Sequence, residues 1–303
     1  MHNPASLSMP VMTESAPSPA GPLWLRALAR LPLPLLRAAG WVLGATLYVA
    51  APRRRRIVET NLAACFPDAS DAVRRRWTWE TFKYFGQSFV DRVWLWHAPE
   101  ATVRQRMTLH GAEQLPQGGA LCFAPHFFGL DAGWSALTQA SERPWWTLYM
   151  PQVRPRIDAW VYQGRQRHDA ANLVSRHDGM RPLVRALRDG AAVYLLPDMD
   201  LGADNAVFAP FFGVSAATVT TLGRLARSAG VPVLPVVTRL VPRGYEVEVL
   251  PAWQGYPSGD DTTDARRMNA ELEGWIRAMP GQYHWLHRRF KTRPAGEPGL
   301  YRD

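Results

Sequence analysis

Three short stretches of the 303-residue chain carry residue types suited to acid–base chemistry. The first is Ala124-Pro125-His126-Phe127-Phe128-Gly129-Leu130-Asp131. A carboxylate that accepts from one imidazole nitrogen leaves the other free as a base, so His126 and Asp131 form a candidate proton-abstracting dyad. Five residues on an ideal helix turn by roughly 500°, about 140° net, which points two side chains apart. The dyad therefore requires His126 in a turn and Asp131 in the first turns of a helix. The alternative is a core histidine with an unrelated capping aspartate. The second stretch, Leu196-Pro197-Asp198-Met199-Asp200-Leu201-Gly202, sets two acids two residues apart. Such a pair can bind a metal, orient a cationic side chain or cap a loop, and an Asp-rich turn is the simplest of these. Val207-Phe208-Ala209-Pro210-Phe211-Phe212-Gly213 follows, and its aromatic run reads as core or as an acyl-chain contact. The third stretch, Gln282 to Arg293, reads as a basic, aromatic helix that is structural or touches an anionic headgroup. His284 and His287 at i, i+3 have no third metal ligand nearby and HExxH is absent, so no metal site is expected. The phosphate-binding patterns GxxxxGK[ST] and GxGxxG and the GxSxG elbow are missing as well.

The elements that would position these residues alternate along the chain. Ala120–Ala124, Trp145–Met150, Ala191–Leu196 and Val233–Leu240 read as buried strands, with Tyr245–Leu250 a half-exposed partner. Helical patterns lie between them at Gly129–Ala140, Arg156–Gln166, Met180–Arg188 and Thr218–Ser228, the last two ending at Gly190 and Gly230. Strands separated by helices of this length imply right-handed crossovers, so the fold class is α/β with a mixed, mostly parallel sheet flanked by helices. His126 and Asp198 then both fall just past the carboxyl ends of strands, where open α/β sheets bind ligands.

The first 22 residues are rich in Pro, Ser and Ala and read as a flexible tail. Residues 23–52 change character: between Leu31 and Ala51 the sole charge is Arg37. The segment reaches the roughly 20 apolar residues of a span if Arg37 snorkels and Pro32 and Pro34 are tolerated. The run Arg53–Arg56 follows, favouring the cytoplasmic side and anionic headgroups. The segment reads as a membrane anchor, spanning or interfacial, with a buried core helix as the alternative; residues 53–303 form the catalytic domain. With Lys+Arg 35 and Asp+Glu 26 the net charge is +9, and only Lys83 and Lys291 are lysines. Arginine forks suit phosphate and carboxylate partners, although a GC-rich genome gives the same bias. Two cysteines exclude a disulfide framework, and 47% apolar residues exclude intrinsic disorder.

His126-x4-Asp131, the Pro197–Gly202 and Val207–Gly213 blocks, and the ending Tyr283-His284-Trp285-Leu286-His287-Arg288-Arg289-Phe290-Lys291-Thr292-Arg293-Pro294 together resemble the late acyltransferases of lipid A biosynthesis, the lauroyl/myristoyl transferases of Gram-negative bacteria. The resemblance covers nearly the whole chain. It implies a glycerolipid-acyltransferase-like fold and transfer of a fatty acyl group from acyl carrier protein to a hydroxyl of a lipid A precursor of the Kdo2-lipid IVA type. The place would be the cytoplasmic face of the bacterial inner membrane. It further implies His126 as base and Asp131 as its carboxylate, where many members carry Glu. Arg165, in Gly164-Arg165-Gln166-Arg167, matches the family's oxyanion arginine, with Asp198 and Asp200 organising the site by pairing with it. No cofactor beyond the acyl carrier protein donor, no metal and no nucleic acid is implied. The partners are acidic and suit the clusters Arg53–Arg56, Arg74–Arg76 and Arg288–Arg293. Other readings keep the fold and dyad with another acceptor, such as an ornithine lipid, an aryl polyene or another glycolipid, or make the chain a membrane lipid-binding protein without turnover.

Overall fold

The computed structural model describes residues Leu23 to Tyr301; the expected tail, residues 1–22, lies outside the described residues. The helices α1 (Leu23–Leu28), α2 (Leu33–Ala50), α3 (Pro52–Cys65), α4 (Asp71–His97) and α5 (Glu100–Gln105) come first. Then follow β1 (Met107–His110), β2 (Ala120–Phe123), α6 (Leu130–Gln139), β3 (Trp145–Tyr149), α7 (Pro155–Arg165), β4 (Ala171–Ser175) and α8 (Arg181–Arg188). The chain closes with β5 (Ala192–Leu195), β6 (Ala206–Phe211), β7 (Val214–Val219), α9 (Thr221–Ala229), β8 (Val233–Val241), β9 (Gly244–Val249) and α10 (Asp261–Ala278).

A seven-stranded sheet runs β1-β9-β8-β2-β5-β3-β4. Its neighbours are parallel except β8 and β9, which form an antiparallel pair, so the sheet is mixed and mostly parallel. The central strands are buried on both faces, the pattern of a parallel sheet with helices above and below. Leu121, Phe123, Val193 and Leu195 face a core shared with α9, α10 and the C-terminal segment. Ala120, Cys122, Ala192 and Tyr194 alternate to the other face, against Trp134 of α6.

One register decides the site. Ala120 pairs with Ala192 and Phe123 with Leu195, an offset of 72 residues. Carried three residues further, it brings His126 level with Asp198, both beyond the strand ends.

The apolar segment forms α2, which is, among the described residues, the helix long and apolar enough to cross a membrane by length and composition. It lies along α4, drawn close by Gly40 and Gly44 against Gly86. A Cβ on Gly86 would stand 2.2 Å from the Gly40 carbonyl oxygen, and one on Gly40 would stand 2.5 Å from Gln87 Cα. Replacing Gly86 by Leu is therefore expected to cost at least about 1–3 kcal/mol of overpacking. Thermal unfolding checks it, and a melting temperature equal to the parent's would contradict this packing. Arg37 does not snorkel. It is buried, donates from Nη2 to the Gly244 carbonyl at 3.0 Å, and its Nε lies 3.0 Å from Asp91 Oδ2. Asp91 also accepts from Trp94 Nε1 at 2.8 Å and from the Tyr245 hydroxyl at 2.7 Å, so the one charge of α2 is used to tie it to α4 and β9.

The structure splits one expectation and changes two. The Val207–Gly213 block is a strand and tight turn of the β6–β7 hairpin: Phe211 is core, Phe208 is exposed, and Phe212 and Gly213 take φ of 51° and 76°. The helix expected from Thr218 starts at Thr221, because Thr218 and Val219 close β7 against Val207 and Ala206. Tyr283 to Arg293 is not a helix. Asn61 Nδ2 donates to the carbonyls of both Trp285 and His287 at 2.8 Å, and the side chains of Tyr283, Trp285, Arg289 and Phe290 are buried. The segment satisfies its backbone partly by short turns, such as Trp285 N–H to the Tyr283 carbonyl and Arg289 N–H to the His287 carbonyl, and partly through neighbours such as Asn61.

Candidate active site

His126 occupies the turn between β2 and α6, half-buried, with its Nδ1 2.7 Å from Asp198 Oδ1. The His126 backbone N–H donates to Asp198 Oδ2 at 3.0 Å, and the Tyr283 hydroxyl donates to the same oxygen at 3.0 Å. Burial alone would raise the pKa of the fully enclosed Asp198; the His126 ring and backbone together with Tyr283 outweigh it and hold the carboxyl below its ordinary value. An ionised Asp198 fixes the tautomer with hydrogen on Nδ1. Nε2 is left as the free lone pair, and among the described residues no partner engages it.

The expected hydrogen bond between His126 and Asp131 is not made. Asp131 opens α6 with its carboxylate buried between two arginines: Arg92 Nε of α4 donates to Oδ2 and Arg165 Nε of α7 to Oδ1, each at 2.8 Å. Burial opposes ionisation there too, but the two guanidiniums prevail and Asp131 is held below its usual range. The physical reason is the rotation along the helix: both Asp131 oxygens turn towards α4 and α7, where cations take them.

The pairing expected between Arg165 and the two later aspartates is likewise replaced by this clamp. Asp200 is fully buried and acts as a latch on the C-terminal segment. Its carboxylate accepts from Thr292 N at 2.7 Å, Thr292 Oγ1 at 2.8 Å and Gly202 N at 3.0 Å, and its own backbone N–H donates to His287 Nε2 at 3.2 Å. That segment in turn holds the turn that carries His126. His284 N–H donates to the His126 carbonyl at 3.0 Å, Phe128 N–H to the Gln282 carbonyl at 3.0 Å, and Phe127 bridges Tyr283. Among the described residues no group of three or more His, Cys, Asp and Glu side chains could hold a metal ion, and His287 is spent on Asp200. The basic ending is largely internal as well. Arg289 donates to the Ala217 carbonyl at 2.9 Å over the Phe211 ring, and Arg293 bonds Ser215 and Glu297.

Tyr283 and Arg92 are the site residues that sequence reasoning missed. Tyr283 stands in the C-terminal motif without a role attached, and Arg92 sits in a long helix with no motif around it. Phe85, Phe128 and His284 close the surroundings of His126, their rings 5.6 to 6.4 Å apart, with the His284 ring 6.4 Å from that of His126.

Burial, reinforced by the neighbouring His126, pulls His284 down to about 3 and His287 to about 4. Unfolded imidazoles titrate near 6.5, so the unfolded chain binds more protons in the window between. The stability these two neutral rings contribute is full above about pH 6.5 and is lost as pH falls towards 4 to 3. Asp198 acts in the same direction at the acid end. Urea midpoints at pH 7 and pH 4.5 should show a clear drop; a midpoint unchanged or higher at pH 4.5 would contradict neutral, enclosed histidines.

The family profile described as "Bacterial lipid A biosynthesis acyltransferase" matches residues 15–292. The chain is 35% identical to the lipid A biosynthesis lauroyltransferase of Escherichia coli K12, covering 93% of this chain and 92% of that protein. It is 34% identical to the lipid A biosynthesis palmitoleoyltransferase of the same organism, with the same coverage of each. Among solved structures, the 1-acyl-sn-glycerophosphate acyltransferase of Thermotoga maritima aligns at 16% identity over 82% of this chain and 97% of that one, with a TM-score of 0.38.

Proposed function

Since this chain belongs to the bacterial lipid A biosynthesis acyltransferases, we propose that it transfers a fatty acyl group from the thioester of acyl carrier protein to a hydroxyl of a lipid A precursor of the Kdo2-lipid IVA type. The observation that carries the chemistry is the buried Asp198 on His126 Nδ1. Nε2 takes the proton of the acceptor hydroxyl as its oxygen attacks the thioester carbonyl. The tetrahedral intermediate collapses by breaking the C–S bond, and the imidazolium returns the proton to the departing thiolate. Asp198 stabilises that imidazolium, and Tyr283 steadies Asp198. Arg165 is our candidate for the oxyanion donor: Asp131 fixes its Nε, which leaves the other nitrogens of the fork for the developing charge.

We place the enzyme on the cytoplasmic face of the inner membrane, with α2 lying in the bilayer interface. Interfacial rather than spanning placement is supported by α4, which runs along α2 and carries Glu80, Lys83, Asp91 and Arg92. One face of α2 is glycine-packed onto that polar helix, while Leu35, Trp41, Val42 and Val49 are exposed on its remainder. Arg53–Arg56, at the start of α3, then meet anionic headgroups.

Mass spectrometry of a reaction with the purified full chain, a mixed acyl carrier protein pool and a tetra-acylated precursor bearing sugar acids tests the reading. One added acyl group, absent without the carrier protein, is the expected product, and its mass gives the chain length. Folded enzyme that modifies only an ornithine lipid, aryl polyene or other glycolipid would overturn the acceptor assignment.

A further inference from the structure

We propose that the segment Met150–Ile157, the loop after β3 together with the first turn of α7, is a second membrane-contact element, pressing apolar side chains into an anionic bilayer surface beside the active site. The proposal rests on the reading of α2 as an interfacial helix and deepens it. β2, β3 and β5 run parallel, so the turns that follow them leave the sheet at one edge. Two of those turns carry His126 and Asp198, and the third is this loop.

Its composition is unusual for a solvated loop. Met150, Val153 and Ile157 are exposed, Val153 completely, and Arg154 and Arg156 alternate with them. No acidic residue occurs from Met150 to Ile157. The backbone beneath them is braced. Asp158 Oδ1 accepts from the Tyr149 hydroxyl at 2.5 Å and from Gln152 N–H at 2.6 Å, while Pro151 and Pro155 limit the chain on both sides of Val153. Apolar side chains are thus held outward on a fixed support next to arginines, the arrangement that suits an acyl boundary beneath anionic headgroups.

The loop also continues the surface assigned to the membrane. One turn along α7, Trp160 packs on the exposed Phe89 of α4 at 6.2 Å. Tyr149 and Val161, flanking the loop, share a core with Leu33 and Leu36 of α2. The occupant is therefore a lipid bilayer rather than a second protein. α7 ends at Arg165 on Asp131, so a bilayer seated on this loop would lie at one end of an 11-residue helix whose other end reaches the site.

Cys65 and Cys122 are both buried, so a cysteine placed on the surface gives a single reactive thiol in the full chain. Val153→Cys, Val42→Cys on α2 and Arg185→Cys on α8 would each be labelled with a polarity-sensitive fluorophore. Each would then be mixed with phosphatidylglycerol/phosphatidylethanolamine vesicles containing a brominated lipid. The labels at 153 and 42 should shift to the blue and be quenched at least twofold, while the label at 185 stays in water. Phosphatidylcholine vesicles should give a weaker response at 153, because Arg154 and Arg156 lose their partners. A label at 153 that remains in water while the one at 42 enters would overturn the proposal and leave the reading of α2 standing. If neither label enters, both fall. If only 153 enters, the loop is a lipid contact and α2 is not. An equal response at 153 to both vesicle types would overturn the anionic preference.

Discussion

Replacing His126 by Ala is expected to lower acyl transfer by about 10²–10⁴-fold, the contribution of a positioned general base, with folding and vesicle association unchanged. The residue lies in a turn whose backbone bonds, to Asp198 through its N–H and to His284 through its carbonyl, do not depend on the ring. The loss should therefore appear in the rate of the chemical step and not in the melting profile beyond the single bond to Asp198. Single-turnover transfer with preloaded acyl carrier protein and precursor separates the two. A variant that retained more than a tenth of the parental rate would remove His126 from the role of base.

The second large effect concerns which carboxylate serves that base. Asp198→Asn is expected to reduce turnover by about 10²–10⁴-fold. An amide NH₂ facing Nδ1 favours the tautomer with its hydrogen on Nε2, which abolishes the lone pair that takes the acceptor proton. Asp131→Asn acts differently. It weakens a charge-assisted clamp on Arg92 and Arg165 and should cost about 1–3 kcal/mol of stability. Its kinetic loss should come through a displaced Arg165, so the pH–rate profile keeps the parental base limb. Identical kinetic losses in Asp198→Asn and Asp131→Asn with a shared shift of that limb would count against the assignment.

The two carboxylates show where sequence reasoning reached and where it stopped. The strands ending at Ala124 and Leu196 are legible because Ala-Leu-Cys-Phe-Ala and Ala-Ala-Val-Tyr-Leu-Leu are continuous apolar runs bounded by proline. Their shared edge follows from the α/β alternation, and both His126 and Asp198 are placed there. Missing from the sequence is the 72-residue register between β2 and β5, since non-local strand pairing leaves no local periodicity. Without it the aspartate five residues away is the nearest partner, and Asp198 reads as a companion for Arg165. Arg92 is invisible for a related reason: it reaches Asp131 from a helix 39 residues earlier. The C-terminal segment misled because aromatic and basic residues at mixed spacing imitate an amphipathic helix. In the fold, Asn61, Asp200 and Ala217 take up its polar groups one by one. The apolar N-terminal segment is legible as a helix, but the burial of Arg37 against Asp91 depends on α4 lying alongside.

The pairing of His126 with Asp198 is tested most directly by proton NMR of the ¹⁵N-histidine-labelled full chain. A hydrogen-bonded Nδ1–H at 2.7 Å from a carboxylate oxygen should give a resonance far downfield of the amides. That signal should vanish in His126→Ala and Asp198→Asn and persist in Asp131→Asn. A signal that survives in Asp198→Asn and disappears in Asp131→Asn would contradict the account.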